Sequence, residues 1–188
     1  QRRAEIATIG YGFGVFYVGY RAEELTTLTL AQCTQKGQLD GADALGLATT
    51  GIGDKAGAGF TEGMIFFDRE PNRNGSTAPT QKELAYIQAW IGHVGASANF
   101  SPGLYCSYAD AAALHNGLTD VVSWWIARVP PGGPGCSIDI GKRTPPDCGA
   151  AYAESWQYAQ ECAMTFNGSQ ISPVDRDMSF SQNPSAAH

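Results

Sequence analysis

The sequence has few basic residues and no long apolar run. Twelve lysines and arginines stand against eighteen aspartates and glutamates, which gives a formal net charge of -6. A nucleic-acid-binding face neutralises phosphates with clustered basic side chains, so this composition argues against a nucleic-acid partner. A membrane-spanning helix needs about 20 apolar residues in succession, and no stretch approaches that length. We therefore expect no membrane span and a neutral or cationic partner.

Motifs of several common enzyme classes are also missing. The sequence contains no G-x-S-x-G nucleophile turn, and no G-x-G-x-x-G follows a predicted strand. These absences argue against a serine hydrolase of that type and against a dinucleotide-binding fold. The five cysteines show neither C-x-x-C nor a Cys/His spacing typical of zinc sites. We predict no cofactor and no metal.

The cysteines instead suggest disulfides. Five are more than a cytosolic domain usually keeps, which favours a secreted or cell-surface protein. Cys136 and Cys148 bracket a segment rich in glycine and proline that would gain stability from closure of its loop, so they are the first predicted pair. The odd count leaves one thiol without a partner in this chain, which suggests a partner in a segment or subunit beyond it. N-glycosylation sequons begin at Asn74, Asn99 and Asn167.

Strand-like and helical segments alternate along the chain. Runs rich in β-branched and aromatic residues predict six strands, at 13–19, 64–68, 103–107, 121–127, 155–158 and 173–178. Helical patterns lie between several of them, at 31–48, at 109–116 and after the capping box Thr80-x-x-Glu83, where Gly95 marks the helix end. This order predicts one α/β domain over residues 1–188 with a mainly parallel sheet, either open or closed into a barrel. Residues 130–150 are interpreted as a long loop within it.

An acidic pair lies at the end of the second predicted strand. Asp68 and Glu70 are two residues apart, so both point to one side of the sheet if the strand persists that far. Sites in parallel α/β folds lie at the carboxyl ends of strands. Two nearby acids cannot both ionise freely, and cleavage of a glycosidic bond needs one protonated acid and one anion. The alternative is that the pair simply begins a solvated loop.

Other candidate site residues follow later strands. Asp175 and Asp177 repeat the two-residue spacing, although taken alone they indicate only a surface strand. Aromatic side chains bind sugar rings, and an arginine can pair with an acid or hold substrate. The candidate substrate-binding residues are therefore Tyr105, Trp125, Arg128, Trp156 and Asp177.

Seven short segments in this order resemble the glycoside-hydrolase-like domains related to family 25 lysozymes. They are 16–19, 37–47, 65–70, 103–105, 124–127, 156–158 and 174–175, and they cover nearly the whole chain. The resemblance implies an irregular TIM-type (β/α) barrel in which Asp68 and Glu70 match an acidic D-x-E motif. Glu70 would then be the general acid, Asp68 its electrostatic partner, and Asp175 the acid on the last strand.

The chain departs from that family pattern at its start. Members carry an aspartate on the first barrel strand, and no such segment precedes Phe13. Six strands do not close a barrel of eight. We therefore expect that the first strand or strands, with one acid of the site, lie on a preceding segment or on a partner chain.

Three functions remain open from the sequence. The first is a secreted hydrolase of a β-linked amino-sugar glycan such as peptidoglycan. The second is a non-catalytic module that keeps the barrel for glycan binding, since a fold does not supply a function. The third is a structural glycoprotein of an extracellular assembly, suggested by the sequons and the cysteines.

Overall fold

A computed structural model describes residues 14–51, 59–70, 78–129, 136, 142–166, 169–181 and 184–185. These ranges contain six strands: β1 (Val15–Val18), β2 (Gly63–Arg69), β3 (Phe100–Ser107), β4 (Ser123–Ala127), β5 (Ser155–Phe166) and β6 (Ser169–Ser179). Three α-helices lie between them: α1 (Leu30–Thr50), α2 (Gln81–Gly95) and α3 (Tyr108–Gly117). Short 3-10 helices span Ala22–Leu25 and Pro145–Cys148. The six predicted strands and three predicted helices are confirmed, with shifted ends.

All six strands form one curved sheet in sequential order. Strands β1 to β5 are parallel, and β6 returns antiparallel to β5. The protein is thus a mixed α/β fold with the shape of a half-barrel. The parallel arrangement brings the ends of five strands to one edge, where the predicted acids lie.

Helices α1 and α2 pack closely on the convex side of the sheet. A Cβ atom at Gly37 would lie 2.1 Å from the backbone oxygen of Tyr86, and one at Gly41 would lie 2.8 Å from Cβ of His93. These glycines weaken the intrinsic helix propensity of α1, yet they allow this close contact. Helix α2 begins with the predicted capping box, in which the hydroxyl of Thr80 accepts a 3.1 Å hydrogen bond from the backbone N–H of Glu83.

The two faces of the sheet carry different clusters. The convex face and the helices share the main core, with fully buried side chains such as Phe67, Trp90 and Leu104. The concave face carries a smaller cluster of Met64, Phe66 and Trp125. The concave face therefore presents aromatic rings below the edge where the acids lie.

The disulfide corrects the sequence prediction. Cys136 is bonded to Cys162 on β5, with their Cα atoms 5.2 Å apart, and not to Cys148. Cys148 is instead buried in the main core, and its thiol is free, as are those of Cys33 and Cys106. The predicted pairing is wrong because it relied on proximity along the chain, whereas the fold brings β5 to Cys136.

Two further expectations concern a membrane span and the glycosylation sequons, and the described residues cover them only in part. No helix in these ranges is long and apolar enough to cross a bilayer. Asn99 is exposed just before β3, as a glycosylation site requires. Asn74 and Asn167 lie outside the described residues.

Candidate active site

Asp68, Arg69 and Glu70 point alternately to the two faces of the sheet at the end of β2. The guanidinium of Arg69 is buried on the helix side, where Nε donates a 2.9 Å hydrogen bond to Oε1 of Glu83 and Nη1 pairs with Oδ2 of Asp110. This ion pair network joins the end of β2 to the first turns of α2 and α3. Because strand side chains alternate, Asp68 and Glu70 are directed to the concave face. Strand β2 ends at Arg69, one residue before Glu70, and the charge of Glu70 acts on Asp68, so the two acids are neighbours as the predicted common orientation requires.

Asp68 is the more enclosed acid of the pair. Its Oδ1 atom is buried and has no hydrogen-bond partner within the described part of the chain. The pKa of Asp68 is raised from 3.8 to about 6, mainly by burial and further by the nearby charge of Glu70, while the cation of Arg21 acts to lower it. Asp68 therefore keeps its proton into the mildly acidic range.

Glu70 lies nearer to solvent and is paired. Its Oε2 atom is 3.1 Å from Nη2 of Arg21, and its side chain is 45% exposed. Arg21 follows β1 and immediately precedes the first 3-10 helix. The backbone N–H of Arg21 donates a 2.8 Å hydrogen bond to Oε2 of Glu24 in that helix. The loop after β1 thus supplies a cation to the exposed member of the pair.

Two further acids come from β6. The indole N–H of Trp125 donates a 2.9 Å hydrogen bond to Oδ1 of Asp177. Desolvation raises the pKa of Asp177 to about 6, against the lowering effect of the Trp125 hydrogen bond, although part of the side chain remains exposed. Asp175 accepts a 2.6 Å hydrogen bond at Oδ2 from the side-chain amide of Gln157. These contacts hold both acids against the concave face.

Tyr105 shows that the two acidic pairs converge. Burial raises the pKa of its phenol, and the charges of Asp68, Asp177, Asp175 and Glu70 each raise it further, in that order. Its hydroxyl also donates a hydrogen bond to Oε1 of Gln157. The charges of all four predicted acids therefore act on one tyrosine of β3, which also contacts Asp175 through Gln157. The four acids thus lie at one edge of the half-barrel.

Not every predicted site residue is brought to these acids. Trp125 lies within the cleft, with its ring centroid 4.9 Å from that of Phe16. Trp156 is buried on the opposite face, where its indole N–H donates to the backbone oxygen of Arg128. The guanidinium of Arg128 lies 3.8 Å from the ring centroid of Tyr108 and donates to the backbone oxygen of Cys148. Trp156 and Arg128 therefore have structural contacts here and none to the four acids among the described residues.

The structure adds two residues that the sequence analysis missed. Arg21 follows a short strand, and no local sequence pattern predicts that its side chain contacts Glu70 at the end of β2. Gln157 follows Trp156, whose aromatic ring suggested a sugar-binding role. Strand alternation could have identified it, since Gln157 shares the concave face with Ser155 on β5. Within the described ranges, no group of three or more potential ligands is arranged to hold a metal ion.

Comparisons with known proteins identify solved structures with a similar fold, but no match to a family model or to a curated protein. The spore cortex lytic enzyme SleM of Clostridium perfringens has a similar structure, with a TM-score of 0.53 and 17% identity over 94% of this chain. The chain spans about half of SleM, at 52% of its length.

A second solved structure gives the same result. The catalytic domain of endolysin ply40, from bacteriophage P40 of Listeria monocytogenes, aligns with a TM-score of 0.50 and 18% identity. The alignment covers 96% of this chain and 74% of that domain. The predicted resemblance is thus confirmed at the level of the fold, which this chain shares with two lytic enzymes.

Proposed function

We propose that this chain, which shares its fold with two lytic enzymes, is the acid-bearing part of a secreted glycoside hydrolase built on an irregular TIM-type barrel. Its substrate would be a β-linked amino-sugar glycan such as peptidoglycan. The observation that carries this proposal is the convergence of four carboxyl groups around Tyr105 at the carboxyl edge of the sheet.

The proposed chemistry is acid and base catalysis by carboxyl groups. Glycosidic bond cleavage needs a proton donor for the leaving oxygen and an anion to stabilise positive charge on the sugar ring. Because the pKa of Asp68 is raised to about 6, the Asp68 and Glu70 pair holds at least one proton below that pH. Glu70 is the more exposed of the two and is proposed as the group that contacts the leaving oxygen. Asp175 remains available to orient water or stabilise charge.

Arg21 adds a condition to this assignment. Its guanidinium is paired with Glu70 in the free site, and its charge lowers the pKa of Asp68. A glycan that displaces Arg21 from Glu70 would favour proton transfer from the acid pair to the leaving oxygen. Substrate binding and acid catalysis would thus be coupled at the mouth of the cleft.

The concave face supports binding of a sugar chain. Phe16 is 41% exposed and packs against Phe66, Tyr105 and Trp125. Aromatic faces beside carboxylates provide stacking surfaces and hydrogen-bond acceptors for a glycan. The predicted aromatic subsite therefore centres on Trp125 and Tyr105, with Phe16 added.

The experiment is hydrolysis of purified peptidoglycan, followed by release of reducing sugar ends. We expect Glu70→Gln to abolish release, and Glu62→Gln, an exposed acid at the opposite end of β2, to leave it unchanged. Retained activity in Glu70→Gln would refute the proposed role. A folded protein that releases no sugar from any amino-sugar glycan would refute the proposed function.

The pairing of Glu70 with Arg21 also favours a second candidate, a glycan-binding module without turnover. While Arg21 stays paired with the Glu70 carboxylate, that group is not available to contact a leaving oxygen. Equilibrium binding of peptidoglycan fragments without release of reducing ends would support this candidate over the hydrolase.

A further inference from the structure

Gln157 occupies the middle of the acidic edge and is almost completely buried, at 4% exposure. It lies on β5, next to Ala127 on β4 and opposite Asp177 on β6. Its side-chain amide contacts Tyr105 of β3 on one side and Asp175 of β6 on the other. One amide therefore connects strands that flank β4 and β5.

The contacts determine which way this amide is oriented. A carboxylate accepts hydrogen bonds, so Asp175 must face the amide N–H group and not the amide oxygen. The oxygen of Gln157 then faces Tyr105, whose hydroxyl donates to it. The polarity of the chain thus runs from the Tyr105 hydroxyl through Gln157 to Asp175.

Asp175 also accepts a second hydrogen bond from β5, the strand that carries Gln157. The backbone N–H of Glu161 donates a 3.0 Å hydrogen bond to Oδ1 of Asp175. Glu161 has a φ of 52° and lies within the irregular register between β5 and β6. A bulge of this kind redirects backbone groups next to a site. Each oxygen of the Asp175 carboxylate therefore meets one donor from β5.

We propose that Gln157 is the positioning residue of this site. It holds the Asp175 carboxylate and the Tyr105 hydroxyl in one fixed relation, and it contacts no reacting atom itself. Its effect on turnover rests on the proposed hydrolase function, whereas its effect on the orientation of Asp175 does not. Buried polar networks define geometry when every member is satisfied, as both ends of this amide are.

Two substitutions separate positioning from packing. Gln157→Met keeps the approximate length of the side chain and removes both hydrogen bonds. Gln157→Glu keeps the shape and places a carboxyl group beside Asp175. The matched control is Ser155→Ala, which removes a 2.9 Å hydrogen bond to Ser179 from the same strand and the same face, away from the acids.

Steady-state hydrolysis of soluble peptidoglycan fragments between pH 4 and 8 provides the first measurement. We expect Gln157→Met to lower kcat by about 10- to 100-fold, because loss of a supporting contact misplaces a catalytic group. KM should stay within about threefold of the wild-type value, since uniform binding is unchanged. Ser155→Ala should retain wild-type kcat.

The pH dependence of Gln157→Glu is the discriminating result. A protonated carboxyl group offers one acceptor and one donor, as the amide does, whereas its anion repels Asp175. We expect activity relative to wild type to be low at pH 7 and to recover as the pH falls. A relative activity that is constant over this range, or a loss in Gln157→Met no larger than in Ser155→Ala, would overturn the inference.

A second measurement needs no activity. The carboxyl carbon resonance of Asp175, observed by NMR in the folded protein, should shift in Gln157→Met and stay in place in Ser155→Ala. If the wild-type protein hydrolyses no glycan, the proposed function fails and this resonance still decides the inference. An Asp175 resonance that is identical in wild type and Gln157→Met would overturn it.

Discussion

The guanidinium of Arg21 lies 3.1 Å from the carboxylate of Glu70 and joins the loop after β1 to the end of β2. Both side chains are partly exposed, at 29% and 45%, so their attraction is screened by solvent. The neighbouring acid, Asp68, has the opposite character, with a buried oxygen that has no hydrogen-bond partner among the described residues. Within two residues, one acid is paired with a cation near the surface, and the other is enclosed and has a raised pKa.

Removing the Arg21 cation should raise the pKa of Asp68 above about 6, because that cation lowers it. We therefore expect Arg21→Gln to move the alkaline limb of the pH profile of kcat/KM to higher pH. The free energy of unfolding should change by less than about 1 kcal/mol, as is usual for exposed pairs. An NMR titration of the Asp68 carboxyl carbon measures the shift. Arg143→Gln, at an exposed position, is the control, and an unchanged titration in Arg21→Gln would contradict the prediction.

Asp68→Asn should stabilise the protein at neutral pH. The folded-state pKa is raised from 3.8 to about 6, so stability falls as the pH rises through this window and Asp68 loses its proton. We expect the variant to gain on the order of 1 kcal/mol at pH 7, after allowance for partial exposure of the carboxyl, and nothing at pH 4. Urea unfolding at both pH values tests this. A gain of equal size at pH 4 would show that the ionised form is not responsible.

Arg69→Met should be far more damaging to stability than Arg21→Gln. The substitution leaves the buried carboxylates of Glu83 and Asp110 without their cation, and breaking such a buried pair costs about 3–5 kcal/mol. Urea unfolding of the two arginine variants in parallel provides the comparison. Equal losses in the two variants would contradict the assignment of Arg69 to the structural face of β2.

Serine substitutions distinguish the observed Cys136–Cys162 disulfide from the expected Cys136–Cys148 pair. Cys136→Ser and Cys162→Ser should each lower the free energy of unfolding by about 3 kcal/mol, because the bond closes a segment of 26 residues. Cys148→Ser removes no covalent link and should cost less. Peptide mapping without reductant identifies the bonded pair directly. A peptide linking Cys136 to Cys148 would refute the observed connectivity.

The element order could be predicted because each strand and helix carries its own local pattern. The runs around Phe66 and Trp124 are apolar and aromatic, and Thr80 with Glu83 marks the start of α2. The length of β5 could not be predicted, since its distal half pairs with β6 through register shifts that leave no regular alternation. The partner of Cys136 likewise depends on contacts distant in sequence.

The site was predictable to the extent that it depends on strand phase. Asp68 and Glu70 lie at the end of a clear strand, so a common face is expected from period two. Gln157 and Trp156 show the limit of this reasoning, because chemical type favoured the aromatic residue while the fold directs the amide into the cleft. Which face of β5 is concave depends on the curvature of the whole sheet.

The alternation of Asp68, Arg69 and Glu70 has a consequence for how this protein can change in length. Insertion or deletion of one residue within β2 would exchange the two faces, carrying two carboxylates into the helix core and the guanidinium into the cleft. Such a change would remove the Arg69 contacts and the acidic edge in one step. Natural variation in length should therefore be confined to the loops on either side of β2, while the strand itself keeps a constant number of residues.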